Sequence, residues 1–206
     1  MESTAAPARA TTGEGREWFC LDVVNLVDTR EEAAYTYAQV LDWVRDAGGL
    51  SPAVAAELAS AAAGAPEDAA DEVRRMVELL RAEFTVFHGL ATAGRTDDAP
   101  LAAIQAVHAE ALAHGRLQHS ERGFDWTWEP DLRLPRWLVA RSAIELVTGG
   151  PLGRVKVCAS EDGCNYLFVD TSKNNSRRWC SMADCGNTAK ARRLTEKRRA
   201  SRVADR

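Results

Sequence analysis

The sequence predicts an α+β protein: a mainly helical N-terminal domain with a small antiparallel sheet, followed by a compact cysteine-rich module. Three observations lead there. Residues 31–148 mostly repeat their apolar positions at helical spacing, two short runs are rich in strand formers, and four of the five cysteines lie in the last quarter of the chain. With 206 residues, 46% apolar and 27% charged, the chain suits one ordinary domain plus a small appended module, and a wholly disordered or collagen-like protein is excluded.

Residues 1–17 are polar and lack an apolar core, so they read as a disordered N-terminus, not a secretory signal. Trp18 to Val27 is short, apolar and β-branched, which predicts a buried strand. Helices follow. Glu31 to Ala47 sets Tyr37, Val40, Leu41 and Val44 on one face and stops at Gly48-Gly49; Ser51-Pro52 opens a short alanine-rich helix to about Ala63. Pro66 to Ala93 is the longest periodic run, with Val73, Met76, Val77, Leu80, Phe84 and Phe87 in one stripe. Another helix runs from Asp98 to a stop at Gly115. The period then changes: Leu117–Glu121, a break at Arg122-Gly123, and Phe124, Trp126 and Trp128 in alternation predict a β-hairpin, expected to join the Trp18 strand in one sheet. Pro135 to Thr148 returns to helix. Gly149–Gly153 is the expected linker, dividing a domain of residues 18–148 from a module of 154–206.

Charge divides at the same place. Residues 151–206 hold 13 Lys+Arg against 6 Asp+Glu, a net +7, whereas residues 1–150 hold 13 against 24, a net −11. No stretch reaches the roughly 20 apolar residues of a membrane helix, so the expected compartment is the reducing cytoplasm. There, Cys158-x5-Cys164, fifteen residues, then Cys180-x4-Cys185 reads as two close pairs that surround one tetrahedral Zn²⁺. Two disulfides or four unconnected thiols are the alternatives. The module has too few apolar residues for a core of its own, which favours a metal staple, and four protein ligands leave no open position, so the zinc is structural. Tyr166–Val169 reads as a strand, Asp170–Asn175 as a turn and Arg177–Cys180 as the returning strand. A helix follows, capped by Ser181 or Asn187. Knuckle, hairpin and helix resemble a treble-clef zinc finger.

The string from Cys164 to Asp170 (CNYLFVD), Ser172 to Met182 (SKNNSRRWCSM), and Cys185-Gly186-Asn187 with Lys190 and Arg192-Arg193 resembles the CGNR zinc finger. In that family the finger follows a helical domain called ABATE, whose N-terminal motif Leu21–Asn25 (LDVVN) resembles, and the resemblance implies a stress-induced bacterial transcription regulator. Thr188 stands where the name-giving arginine belongs.

Lys190, Arg192, Arg193, Lys197, Arg198, Arg199 and Arg202 place seven cations in thirteen residues, relieved only by Glu196. A helix so charged has no apolar face to pack and suits the phosphates of double-stranded DNA, with Lys173, Arg177 and Arg178 as a second contact edge. A solvated tail or an acidic partner is the plainer alternative. Trp179 is expected to pack with Phe168 over the metal shell. His88, His108, His114 and His119 form no catalytic series, and no phosphate loop or H-E-x-x-H motif occurs, so no enzyme is expected. The larger domain is the expected sensor, with Asp22, Asn25, Trp126 and Trp128 as candidate lining of a small-molecule effector pocket; core tryptophans and turn-capping polar residues explain the same four positions. The reading is a DNA-binding transcription regulator, possible as a homodimer, or else an adaptor whose finger docks a protein.

Overall fold

The computed structural model describes residues 18–27, 34–120, 123–161 and 163–204, without the side chains of 197–204. The N-terminus 1–17, the helix start expected at Glu31, the hairpin positions Glu121 and Arg122, and the side chains of Lys197, Arg198, Arg199 and Arg202 lie outside the described residues. Two compact units divide the chain: one takes the described residues up to Val86 with Arg95–Gly150, the other Phe87–Gly94 with the chain from Pro151. No described helix is long and apolar enough to cross a membrane.

The first element is not the expected strand but a helix, α1 (Phe19–Val24). A short, continuously apolar run fits a buried strand and a buried helix equally. What separates them is the spacing of the outward positions. Asp22 and Asn25 are half-buried and Leu26 is 47% exposed, the i, i+3, i+4 pattern of a helix, while Phe19, Cys20, Leu21, Val23 and Val24 are buried.

Helix α2 (Tyr37–Asp46) begins at a capping box: the Thr36 hydroxyl accepts from the Gln39 amide at 3.3 Å and the Thr36 amide donates to Gln39 Oε1 at 2.8 Å. Tyr37, Val40, Leu41 and Val44 face the core as the spacing predicts. The chain turns sharply through Gly48 (φ 88°), and Gly49 lies so close that a Cβ would meet Phe19 and Val44 at 2.8 Å. Helices α3 (Pro52–Gly64) and α4 (Pro66–Ala93) follow, α3 capped by the Ser51 hydroxyl. Along α4 Val73, Met76, Leu80 and Phe87 are buried, joined by Leu79 and Val86, whereas Val77 and Phe84 are half-buried.

The centre of the first unit is α6 (Leu134–Gly149), buried on most sides, packed on α5 (Asp98–His114) and on α1, whose Cys20 amide donates to the Ser142 hydroxyl at 3.2 Å. Arg136 of α6 ties three helices, pairing with Glu72 of α4 at 2.9 Å and Glu110 of α5 at 3.0 Å. Between α5 and α6 lies the expected hairpin, β1 (Arg116–Ser120) with β2 (Gly123–Thr127), in register Leu117↔Trp126 and His119↔Phe124. With α1 helical, this sheet has two strands only.

In the second unit β3 (Val155–Val157) pairs antiparallel with β4 (Leu167–Val169). Arg177–Cys180, expected as the partner of β4, is not a strand. The reason is Asp170 at the end of β4: its carboxylate accepts from the Ser172 amide (2.8 Å) and hydroxyl (2.6 Å), the Arg177 amide (2.8 Å) and Lys156 Nζ (2.6 Å), and the chain wraps around it. The returning segment meets the cysteine knuckle instead, the Ala159 amide donating to Arg178 O at 2.8 Å. A wide turn (Met182–Gly186) then leads into α7 (Asn187–Ala204).

Candidate metal centre and nucleic-acid interface

Local backbone rules place the four cysteines. Cys158 follows β3, and Asn165, after Cys164, adopts a left-handed φ of 51°, which asparagine tolerates and which swings the chain from the first pair into β4. The Ser181 hydroxyl accepts from the Asp184 amide, and the Ser181 carbonyl from the Gly186 amide at 2.9 Å; this wide turn presents Cys185. Asn187 is not an acceptor cap, since its side-chain amide donates back to Ala183 O at 3.0 Å.

Cys158, Cys164, Cys180 and Cys185 come together with all four sulfurs within 4.8 Å of one another. Cys164 Sγ lies 3.6 Å and Cys185 Sγ 3.8 Å from Cys180 Sγ. A tetrahedral zinc with Zn–S of about 2.3 Å sets its sulfurs about 3.8 Å apart, so the spacing suits the ion. No disulfide joins any of the cysteines, and four sulfurs converging on one point, not two separate pairs, is the arrangement of a metal site. The Cys180 amide donates to Cys158 Sγ at 3.4 Å, a bond that stabilises a thiolate. Burial, then the neighbouring thiols, push the Cys180 thiol well up. Burial raises the Cys158 thiol too, but the amides of Cys180 and Ser160 outweigh it and bring the thiol below its ordinary value. Four sulfurs this crowded are compatible as thiolates only around a cation. Among the described residues no other group of three or more possible ligands forms.

Residues 154–198 match the family model of the CGNR zinc finger, and residues 17–150 match the ABATE model, described as "Putative stress-induced transcription regulator". The chain belongs to the ABATE family. None of the curated proteins matches it. In this ABATE chain Cys158, Cys164, Cys180 and Cys185 hold one structural zinc, and no coordination position is left for substrate.

The basic residues of the finger fall into two groups. Lys173, Arg178, Lys190 and Arg193 are exposed. Arg177 is half-buried and turned to the fold: its Nε donates to Trp179 O at 2.9 Å, its Nη2 to Cys180 O, and its guanidinium covers Phe168 at 4.7 Å. Arg192, 50% exposed, pairs with Glu161 at 3.0 Å and Glu196 at 3.6 Å. Trp179 has Arg178 and Arg193 over its ring, at 5.5 and 6.0 Å, where packing on Phe168 was expected. Sequence reasoning passed over Asp170 and Glu161; the D-x-S spacing from Asp170 to Ser172, the signature of a side chain closing its own turn, marks the first.

In the first unit the four candidate pocket residues sit on two elements. Trp128 is buried, its indole donates to Ala111 O at 2.7 Å, and it stacks with half-buried Trp126 at 6.4 Å and lies under Arg141. Asp22 and Asn25 belong to α1 and its C-terminal turn, a helix whose Cys20 amide donates to Ser142 of α6. Cys20 is fully buried, and burial holds its thiol well above the ordinary range. His114 stacks on Trp137 at 5.0 Å and His119 meets Phe124 edge-on at 5.5 Å.

Proposed function

We propose that the chain is a DNA-binding transcription regulator in which residues 18–148 receive the signal, 149–153 link, and 154–206 bind duplex DNA through the zinc finger. The observation that carries this reading is α7, which leaves the zinc cluster directly and exposes Lys190, Arg192 and Arg193 without an apolar face. Such a surface is satisfied by phosphates, each contact releasing counterions. Lys173 and Arg178 extend it, Lys197, Arg198, Arg199 and Arg202 continue it along the sequence, and Arg177 serves to hold the finger together. The acidic first domain repels the same phosphates and keeps the contact on the finger. The cytoplasm suits both roles, and a dimer suits paired half-sites.

Titration of the full, zinc-loaded chain into a fluorescent duplex at stepped salt tests this. The expected result is an affinity that falls steeply with salt. An affinity for acidic proteins with none for DNA would favour the adaptor reading.

A further inference from the structure

Between the knuckle loop and the first turns of α7 the finger carries an open groove of about 120 Å³. Trp179 lines it, half-buried, with Arg178, Arg193, Arg192, Glu161 and Thr188 around it. Thr188 is short, and its hydroxyl donates back to Asp184 O at 3.1 Å, so position 188 leaves the groove open. The two guanidinium groups over Trp179 stand at 5.5 and 6.0 Å from the ring, near the roughly 6 Å limit of such contacts, on exposed side chains.

An indole flanked by guanidinium planes has the chemistry of a stacking platform for bases, and cavities of about 150 Å³ take one benzene-sized ring. At about 120 Å³ and open to solvent, the groove admits a flat ring with part of it left outside. Glu161 and Glu196, each paired with Arg192, keep carboxylate lone pairs that can accept from an exocyclic amino group, while Arg178 and Arg193 offer forks to the flanking phosphate. A base inside a duplex has both faces covered by its neighbours and cannot stack on a side chain. We infer that this groove takes a single unpaired nucleobase of a DNA strand, its ring on Trp179 and its phosphate between Arg178 and Arg193. The inference rests on the nucleic-acid reading above and adds that the finger distinguishes opened from fully paired DNA.

The test uses the full zinc-loaded chain and three probes: a paired duplex, the same duplex with a one-base bulge, and that bulge made abasic. The bulged duplex is expected to bind roughly 5- to 100-fold more tightly than the other two, the gain of one stacked base. Trp179→Ala should abolish the preference and leave salt-dependent duplex binding. Since Trp179 adjoins a zinc ligand, Thr188→Arg is the second variant: it fills the groove from the exposed side of α7, adds charge, and is expected to keep or tighten duplex binding while losing the bulge preference. Equal affinity of the native chain for all three probes overturns the inference while the DNA reading stands. Failure to bind any of them overturns both.

Discussion

Glu83 of α4 has no exposed surface, and neither of its carboxylate oxygens meets a hydrogen-bond donor. Burial pushes the carboxyl well above its ordinary value, so it stays protonated and neutral in the fold. Below about pH 4.3 the folded and unfolded chains are both protonated here; above it the unfolded chain releases the proton that the folded one keeps, and stability declines as pH rises. Glu83→Gln is expected to flatten that decline, seen as a smaller loss of melting temperature between about pH 5 and 8. Identical pH profiles for the two proteins would refute the protonated carboxyl. Asp170 has the opposite sign. Burial opposes its charge, but Lys156, the Ser172 hydroxyl and the amides of Ser172 and Arg177 outweigh it and hold the carboxyl far below the carboxylate range. Its contribution is present above about pH 3.9 and is lost as pH falls through the folded value, so Asp170→Asn should loosen the finger at neutral pH, measured as faster zinc loss to a chelator.

At the scale of elements, boundaries were legible wherever punctuation and period agreed. Pro66 and Gly94 bracket α4, Ser51-Pro52 opens α3, and the alternation from Phe124 to Trp126 gives β2. The cysteine site was legible from two close pairs set in a module with too few apolar residues for a core of its own, since such a segment needs a staple. Two elements were not. The α1 run carries nearly all its apolar residues inward, so only the positions of Asp22 and Asn25 betray its period. The partner of β4 depends on which donors Asp170 gathers, a tertiary choice that no local window contains. The hairpin rests on Gly115, where a Cβ would meet Trp126 and Trp128 at 2.9 Å. Gly115→Ala is expected to destabilise the first unit by about 1–3 kcal/mol through overpacking, read from denaturant melts; an unchanged midpoint would place the tryptophans elsewhere. On α7, changing Lys197, Arg198 and Arg199 together to Gln should weaken binding to every duplex and lower the salt slope by up to about 3. Loss confined to one sequence would assign those side chains to base edges.

Across the whole molecule, the two units depend on different forces. Helix packing around α6 and the Arg136 ion pairs hold the first. Arg136→Ala takes from buried Glu72 its 2.9 Å partner and leaves it the longer, 3.8 Å pair with exposed Arg75, and is expected to cost roughly 3 kcal/mol there, without altering zinc content. The second unit takes its stability from the metal, worth on the order of 10 kcal/mol in such sites. Chelation, or Ser in place of any of the four cysteines, should melt the finger and leave the helical signal of the first unit; a single cooperative loss of both would show that they fold together. If the first domain receives an effector, ligand that shifts DNA affinity must itself bind the DNA-bound chain differently.

The compactness of the cysteine cluster also sets a timescale. Its first and last ligands, Cys158 and Cys185, are separated by 27 positions, and the partners of the Lys156–Asp170 clamp by 14. Loops of about ten residues close in roughly 10–100 ns, and the entropic cost grows only with the logarithm of length, so bringing the thiols together is fast beside any encounter with a scarce ion. Rapid mixing of the reduced, metal-free chain with zinc should give a rate that rises in proportion to zinc concentration, with no plateau from a slow search by the chain. How quickly the finger becomes competent would then be governed by the supply of free metal.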